Sequence, residues 1–333
     1  MKLLRLILIA FFIASPAFAA THAGNYNWSF DLSAHKAGEE ASLWIPYPVS
    51  DANQQISQIS WQGDYDEAAV YTDRVFGAPM LYVHWPKEAK QRKISLSFHA
   101  ERNEQINRDF AKTEGAFDKR DYALYLAPTS LGPITGEVKK LADEITAGKS
   151  GILEKARAIY DWTVDNTYRD PQTRGCGFGD VTSLLRRPGG KCADISSIYV
   201  ALARAAGVPS REVLGIRSGK TDHQDVSTWQ HCWVEFYLPG YGWVPVDPAD
   251  VRKAMLKQQL TLDDPKVAEL RESFWGRVDP YRIRLSEGRD LQLNPPQQGP
   301  AINYLMYPFA QIGGVTLDWL DPTTFKYSIV WKE

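Results

Sequence analysis

Cysteine is scarce in this chain of 333 residues, and so are long hydrophobic runs and any excess of charge. Three cysteines are too few, and odd in number, for a disulfide framework. The 38 basic and 40 acidic side chains give a net charge of −2. Together with the lack of any block of like charge, this argues against nucleic-acid binding. We therefore expect no nucleic-acid partner, and no cofactor is predicted.

The one long apolar run lies at the N-terminus. Lys2 and Arg5 precede an apolar stretch at residues 6–13, and Ala17 and Ala19 form a small-residue cleavage site. This is the pattern of a secretory signal peptide, and the stretch is too short to span a bilayer comfortably. We expect cleavage after Ala19, a periplasmic or secreted location and no integral membrane segment in the mature chain. An uncleaved anchor is the alternative.

Hydrophobic periodicity divides the rest of the chain. Tyr26, Trp28 and Phe30 alternate with polar residues, which is typical of half-buried strands in an antiparallel sandwich. Helical periodicity begins after residue 110, and strand-like alternation returns near the C-terminus. The sequence thus predicts an α+β protein with the following parts: a signal peptide (1–19), an N-terminal β-sandwich-like domain (20–115), a catalytic core (116–260), and a C-terminal helix and strand extension (261–333).

Cys192 occupies the first turn of a predicted amphipathic helix. Gly189 and Gly190 form a turn before the helix, and Gly207 ends it. Unpaired amides and the positive end of the helix dipole favour a thiolate there, and they can receive an oxyanion. The alternative is a small buried hydrophobe, the usual fate of a free cysteine. The residues that could act with Cys192 decide between these interpretations.

A nucleophilic thiolate needs a base, and the base needs an orienting acceptor. His231 begins a predicted strand, and a tight turn leads back to Asp247. If Tyr237 faces Tyr241, His231 lies opposite Asp247. If the register pairs residues 238 and 242, Asp247 is a diagonal neighbour on the same face, so both registers allow contact.

At these residues the sequence resembles the transglutaminase-like superfamily. The motifs are Gly-x-Cys opening a helix, then His-x-Trp-x-Glu, then Trp-x-x-x-Asp-Pro, in the order Cys192, His231, Asp247. The resemblance implies a papain-like core, in which the cysteine-bearing helix packs on an antiparallel sheet. It also implies that Cys192 is the nucleophile, His231 the base and acid, and Asp247 the orienting group. An oxyanion donor is expected as well, and the candidates are Tyr168, Trp229 and Gln230.

The remaining cysteines leave alternatives open. Cys232 alternates away from His231, so we expect a buried, reduced thiol on the opposite face of the sheet. Cys176 lies in a glycine-rich loop predicted to be flexible, either free or transiently joined to Cys192. A bridge between Cys176 and Cys232 is the alternative.

Two further polar sites complete the prediction. Glu235 shares the face of His231, and we expect it to be solvated. The loop containing Asp222, His223 and Asp225 superficially suggests a metal site, but no matching ligand set accompanies it and no metal is predicted.

The resulting functional hypothesis is an exported cysteine peptidase, amidase or acyltransferase that acts through a Cys192 thioester. Its expected partner is a peptide or protein substrate, with the cell envelope as one source, and the sequence does not indicate an oligomeric state. Two alternatives remain: a true amine-accepting protein-glutamine acyltransferase, and a non-catalytic envelope binding or scaffold protein with a relic core.

Overall fold

The structure is a computed structural model that describes residues 20–35, 37–111 and 113–333. The predicted signal peptide lies outside these residues. Within them, no helix has the length and apolar character needed to cross a membrane. The strands are β1 (Thr21–Asp31), β2 (Ala41–Pro46), β3 (Gln54–Gly63), β4 (Glu67–Thr72), β5 (Pro79–Trp85), β6 (Lys93–Asn103), β7 (Gln105–Ile106), β8 (Tyr168–Arg169), β9 (Gly189–Gly190), β10 (Ser210–Arg217), β11 (Gln224–Asp225), β12 (Gln230–Leu238), β13 (Gly242–Val246), β14 (Arg277–Val278), β15 (Arg282–Glu287), β16 (Phe309–Ile312), β17 (Val315–Thr316) and β18 (Lys326–Lys332).

The helices are α1 (Glu137–Ile145), α2 (Ile152–Asn166), α3 (Val181–Arg186), α4 (Cys192–Ala205), α5 (Pro248–Gln258) and α6 (Pro265–Ser273), with a 3₁₀ segment at Lys119–Tyr125. Along the chain, α1 to α4 lie between β7 and β10 of the core sheet, and α5 and α6 lie between β13 and β15. The predicted α+β class, with a β-rich N-terminal region ahead of a helix-on-antiparallel-sheet core, is confirmed.

Two five-stranded sheets enclose an aromatic core. Their strand orders are β11-β18-β1-β6-β3 and β17-β16-β2-β5-β4. The alternation along β1 buries Tyr26, Trp28 and Phe30 in this core. Trp28 lies opposite Leu96 of β6 on one side and Ile329 of β18 on the other. Strands from both ends of the chain therefore build both sheets, while the domain boundaries expected from the sequence stay a prediction.

The core sheet has the order β13-β12-β10-β15, and α4 packs against it. All fourteen residues of α4 are buried, because α1, α2 and α5 cover the helix sides that do not face the sheet. In the β12–β13 hairpin, Leu238 pairs with Gly242 and Val234 with Val246. This is the second of the two registers expected from the sequence, and it places Asp247 diagonally from His231.

Candidate active site

The start of α4 is fixed by a buried carboxylate. Asp194 accepts hydrogen bonds from the amides of Lys191 (3.0 Å), Phe178 (2.9 Å) and Gly179 (2.8 Å). Gly177 has a positive φ of 93°, and a Cβ there would lie 1.8 Å from the Asp194 carboxylate. The glycine-rich loop is thus required for close approach to the helix. Burial raises the pKa of Asp194 despite these three donors.

Three thiols meet at this helix end. Cys176, Cys192 and Cys232 are all buried and free, and they share one apolar cluster. The Cys176 thiol donates to the carbonyl of Gln230 (3.3 Å) and accepts from the Tyr307 hydroxyl (3.2 Å). The expectation that Cys176 lies in a flexible loop is therefore wrong: Tyr307 and the α4 N-terminus cover it, and its carbonyl accepts from the Ala193 amide (2.9 Å).

Cys232 is buried and reduced, as expected from the alternation of β12. Sequence reasoning missed that this face of the sheet is the one on which α4 packs. The Cys232 Sγ lies 3.8 Å from the Ser196 Oγ, one turn along the helix from Cys192. The thiol therefore borders the candidate nucleophile.

The cluster favours ionisation of a single thiol, that of Cys192. Interactions with the Cys176 and Cys232 thiols and with His231 lower the pKa of Cys192 well below its usual value, and they outweigh burial. The pKa of Cys176 is raised, because its interaction with Cys192 favours the protonated form and because it is buried. Burial and the same neighbour raise the pKa of Cys232. The helix N-terminus adds to the preference for a thiolate at Cys192.

His231 and Asp247 are held side by side in the protein interior. The His231 Nε2 lies 2.8 Å from the Asp247 Oδ2, and both side chains are buried. With Nε2 donating to the carboxylate, Nδ1 is left to exchange a proton with Cys192. Asp247 also caps α5, since its Oδ1 accepts from the Asp250 amide (2.8 Å). The structure thus brings the three sequence-predicted residues together.

Asp247 belongs to a buried network of charged side chains. Arg282 of β15 donates to the Asp247 Oδ2 (2.5 Å) and to the Asp250 Oδ2 (2.9 Å). Arg217 of β10 donates to Asp250 as well (2.6 Å). Burial raises the pKa of Asp250, but the charges of Arg217, His231 and Arg282 outweigh it and hold that pKa well below its usual range. Sequence reasoning missed these residues. In the sequence, only the i, i+3 spacing of Asp247 and Asp250 indicated that a second carboxylate lies close to Asp247.

His231, Asp247 and Asp250 each offer one potential metal-ligand atom, and these atoms lie within 4.8 Å of one another. The donor set does not fit a cation well, because the guanidiniums of Arg282 and Arg217 already neutralise the two carboxylates. In the exposed loop considered for a metal, His223 instead bonds its neighbour Asp222 (2.6 Å).

The three oxyanion candidates have different surroundings. The Gln230 side-chain amide nitrogen donates to the carbonyl of Ser227 (3.1 Å), and Trp229 packs against the sandwich core. Tyr168 lies over Gly189, three residues before Cys192. The side-chain donor to the oxyanion stays a prediction.

Glu235 is buried rather than solvated, so that expectation is wrong. Arg211 lies directly opposite it on β10 and donates to its carboxylate (2.7 Å). The same guanidinium contacts Glu287 of β15 (2.9 Å) and stacks over the Trp243 ring, with its centre 4.1 Å from the ring centroid. Cross-strand pairing thus places an ion pair on the face that bears His231.

Comparisons with known proteins agree with this architecture. The family model described as the transglutaminase-like superfamily matches residues 139–248. An uncharacterised protein of Haemophilus influenzae is 33% identical over an alignment that covers all of both chains. A protein-glutamine gamma-glutamyltransferase of Pseudomonas aeruginosa is 33% identical over 90 residues, which are 25% of this chain and 13% of that protein. The structure of a candidate cysteine protease from Cytophaga hutchinsonii superposes with a TM-score of 0.57 at 14% identity, covering 94% of this chain and 99% of that one.

The ion network predicts a large effect of Arg282→Met on stability. The substitution leaves two buried carboxylates short of donors, and breaking such a pair costs roughly 3–5 kcal/mol. Urea unfolding should show this loss of unfolding free energy. Arg120→Met is the control, because its partner Asp118 and its own side chain are exposed. An equal loss in both variants would contradict a structural role for Arg282.

Proposed function

Because this chain belongs to the transglutaminase-like superfamily, we propose that it is an exported thiol enzyme that cleaves or transfers peptide or amide acyl groups through a Cys192 thioester. The observation that carries the proposal is the arrangement of the Cys192 thiol at the start of α4 with the His231–Asp247 pair, whose two side chains lie 2.8 Å apart. Export rests on the predicted signal peptide at residues 1–19.

In the proposed reaction the Cys192 thiolate attacks the substrate carbonyl carbon. The Cys192 amide and a second donor receive the developing oxyanion. Protonated His231 then donates its proton to the leaving amine, so the C–N bond breaks and a thioester forms. Water or an acceptor amine attacks the thioester and gives its proton to His231. The acyl product leaves, and the thiolate and the imidazolium are restored.

Hydrolysis and acyl transfer share the first half of this reaction. We favour a peptidase or amidase, and protein-glutamine acyl transfer is the second candidate. It is supported by the 90-residue match to the Pseudomonas aeruginosa gamma-glutamyltransferase. Adding a primary amine such as putrescine separates the two: hydrolysis gives a carboxylic acid and transfer gives the amide of the added amine.

Cys192→Ala should abolish turnover and leave the fold intact. Removing one buried sulfur atom should cost about 1 kcal/mol, as for the loss of a single buried methyl group. Intact-mass screening with peptide, glutamine and peptidoglycan-fragment substrates should show an acyl adduct on the wild-type chain and none on the variant. Wild-type turnover by Cys192→Ala would rule out the proposed mechanism and favour a non-catalytic binding protein.

The two other site residues should have graded effects. His231→Ala removes the proton-transfer group and should silence the reaction. Asp247→Asn keeps a side chain of the same shape but stabilises the imidazolium poorly, so kcat should fall by roughly 10²–10⁴-fold. Steady-state kinetics on a substrate found by the mass screen provides the measurement. An unchanged kcat in Asp247→Asn would mean that Asp247 serves only to cap α5.

A further inference from the structure

An open cleft lies against the residues that flank the candidate nucleophile. It has a volume of about 430 Å³, within the range of small-molecule and peptide-side-chain sites. Lys191, which directly precedes Cys192, lines it together with Gln230, which directly precedes His231. A group bound there would contact the residues that adjoin Cys192 and His231 in the sequence. Four aromatic side chains line it as well, those of Tyr307, Trp319, Phe325 and Tyr327.

The charged groups of this cleft are cationic. Arg174 and Lys191 line it, and the lining includes no Asp or Glu from the described part of the chain. Arg174 is partly neutralised by an exposed ion pair with Asp318 (2.6 Å), which lines the neighbouring cleft instead. Lys191 is half-buried, and its ammonium forms no ion pair with any described residue. An unpaired cation therefore lies next to Cys192.

Gln230 adds a second unpartnered group. Only 6% of its surface is exposed, and its Oε1 has no hydrogen-bond partner among the described residues. The orientation of its side-chain amide is fixed, because the nitrogen must face the Ser227 carbonyl to which it donates (3.1 Å). This oxygen is itself buried, so it is an unmatched polar atom of the interior and not one that a bound group can reach.

We propose that this cleft binds the acyl-donor substrate and selects peptides that carry a carboxylate close to the reacting carbonyl. The carboxylate pairs with Lys191, and apolar parts of the peptide pack on the aromatic side chains of the cleft. The proposal rests on the proposed function, since it assigns the substrate class of the same site.

Charged and neutral alkylating agents test the cleft without a known substrate. Iodoacetate and iodoacetamide both react with a thiolate by displacement of iodide and differ in that only the first carries a carboxylate. The measured quantity is the rate of Cys192 alkylation by iodoacetate divided by the rate with iodoacetamide. We expect Lys191→Met to lower this ratio about fivefold, which corresponds to the loss of one partly exposed ion pair of ~1 kcal/mol. Lys191→Arg should keep the wild-type ratio. The adduct is assigned to Cys192 by peptide mapping.

A second test variant and a control variant complete the experiment. Thr228→Glu places a negative charge on an exposed residue of the same cleft and should also lower the ratio, even if Lys191→Met fails to fold. Lys140→Met removes a lysine from the exposed side of α1 and should leave the ratio unchanged. If Lys191→Met and Thr228→Glu both label rapidly and keep the wild-type ratio, the proposed selection for a carboxylate is overturned, but the proposed function is not. A Cys192 inert to both reagents would overturn the proposed function as well.

Peptide protection identifies the source of the carboxylate. Acetylated tripeptide amides with a central Glu or Gln, and the Gln tripeptide with a free C-terminal carboxylate, compete with iodoacetamide for Cys192. Stronger protection by the Glu peptide indicates an acidic side chain, and stronger protection by the free acid indicates a chain terminus. Equal protection by all three would contradict selection for a carboxylate.

Discussion

The Asp247 carboxylate is the point on which the site depends. It accepts from the His231 imidazole, the Arg282 guanidinium and the Asp250 amide, and none of its surface is exposed. These contacts join β12, β15 and the start of α5 in one buried network. Away from water, a carboxylate is stable only when its oxygens are satisfied. The network therefore holds the imidazole in one orientation.

A second constraint is the dense packing of three thiols at the start of α4. Only one can lose its proton readily, because a second thiolate in the same low-dielectric space would be repelled by the first. The helix N-terminus and His231 favour Cys192, and the pKa values of Cys176 and Cys232 are shifted upwards. The neighbouring thiols thus stay protonated beside the Cys192 thiolate.

The sequence predicted the local features that have a short-range cause. The stripe of apolar residues and the flanking glycines predicted α4 and the place of Cys192 in its first turn. The hairpin turn brought His231 and Asp247 together in either register, and the structure selects the pairing of Leu238 with Gly242. The assignment of these residues to catalysis stays a proposal.

Long-range contacts could not be predicted in the same way. Arg282 lies 35 residues beyond Asp247, and no local pattern links the two. Glu235 was expected to be solvated, because the sequence does not show that Arg211 lies opposite it. The return of β16 and β18 into the two N-terminal sheets depends on non-local strand pairing as well. Burial of Cys176 similarly requires Tyr307, which follows it by 131 residues.

The central claim is that Cys192 is a stabilised thiolate beside His231, and the pH dependence of its alkylation tests this most directly. A thiol with a lowered pKa stays ionised as the pH falls towards neutrality, whereas an ordinary thiol has a pKa of about 8.5. Peptide-resolved iodoacetamide labelling should therefore slow less at Cys192 than at an ordinary thiol as the pH falls from about 8.5 towards neutrality, while Cys176 and Cys232 label slowly throughout. A Cys192 rate that falls tenfold per pH unit below about pH 8.5, as for an ordinary thiol, would contradict the account.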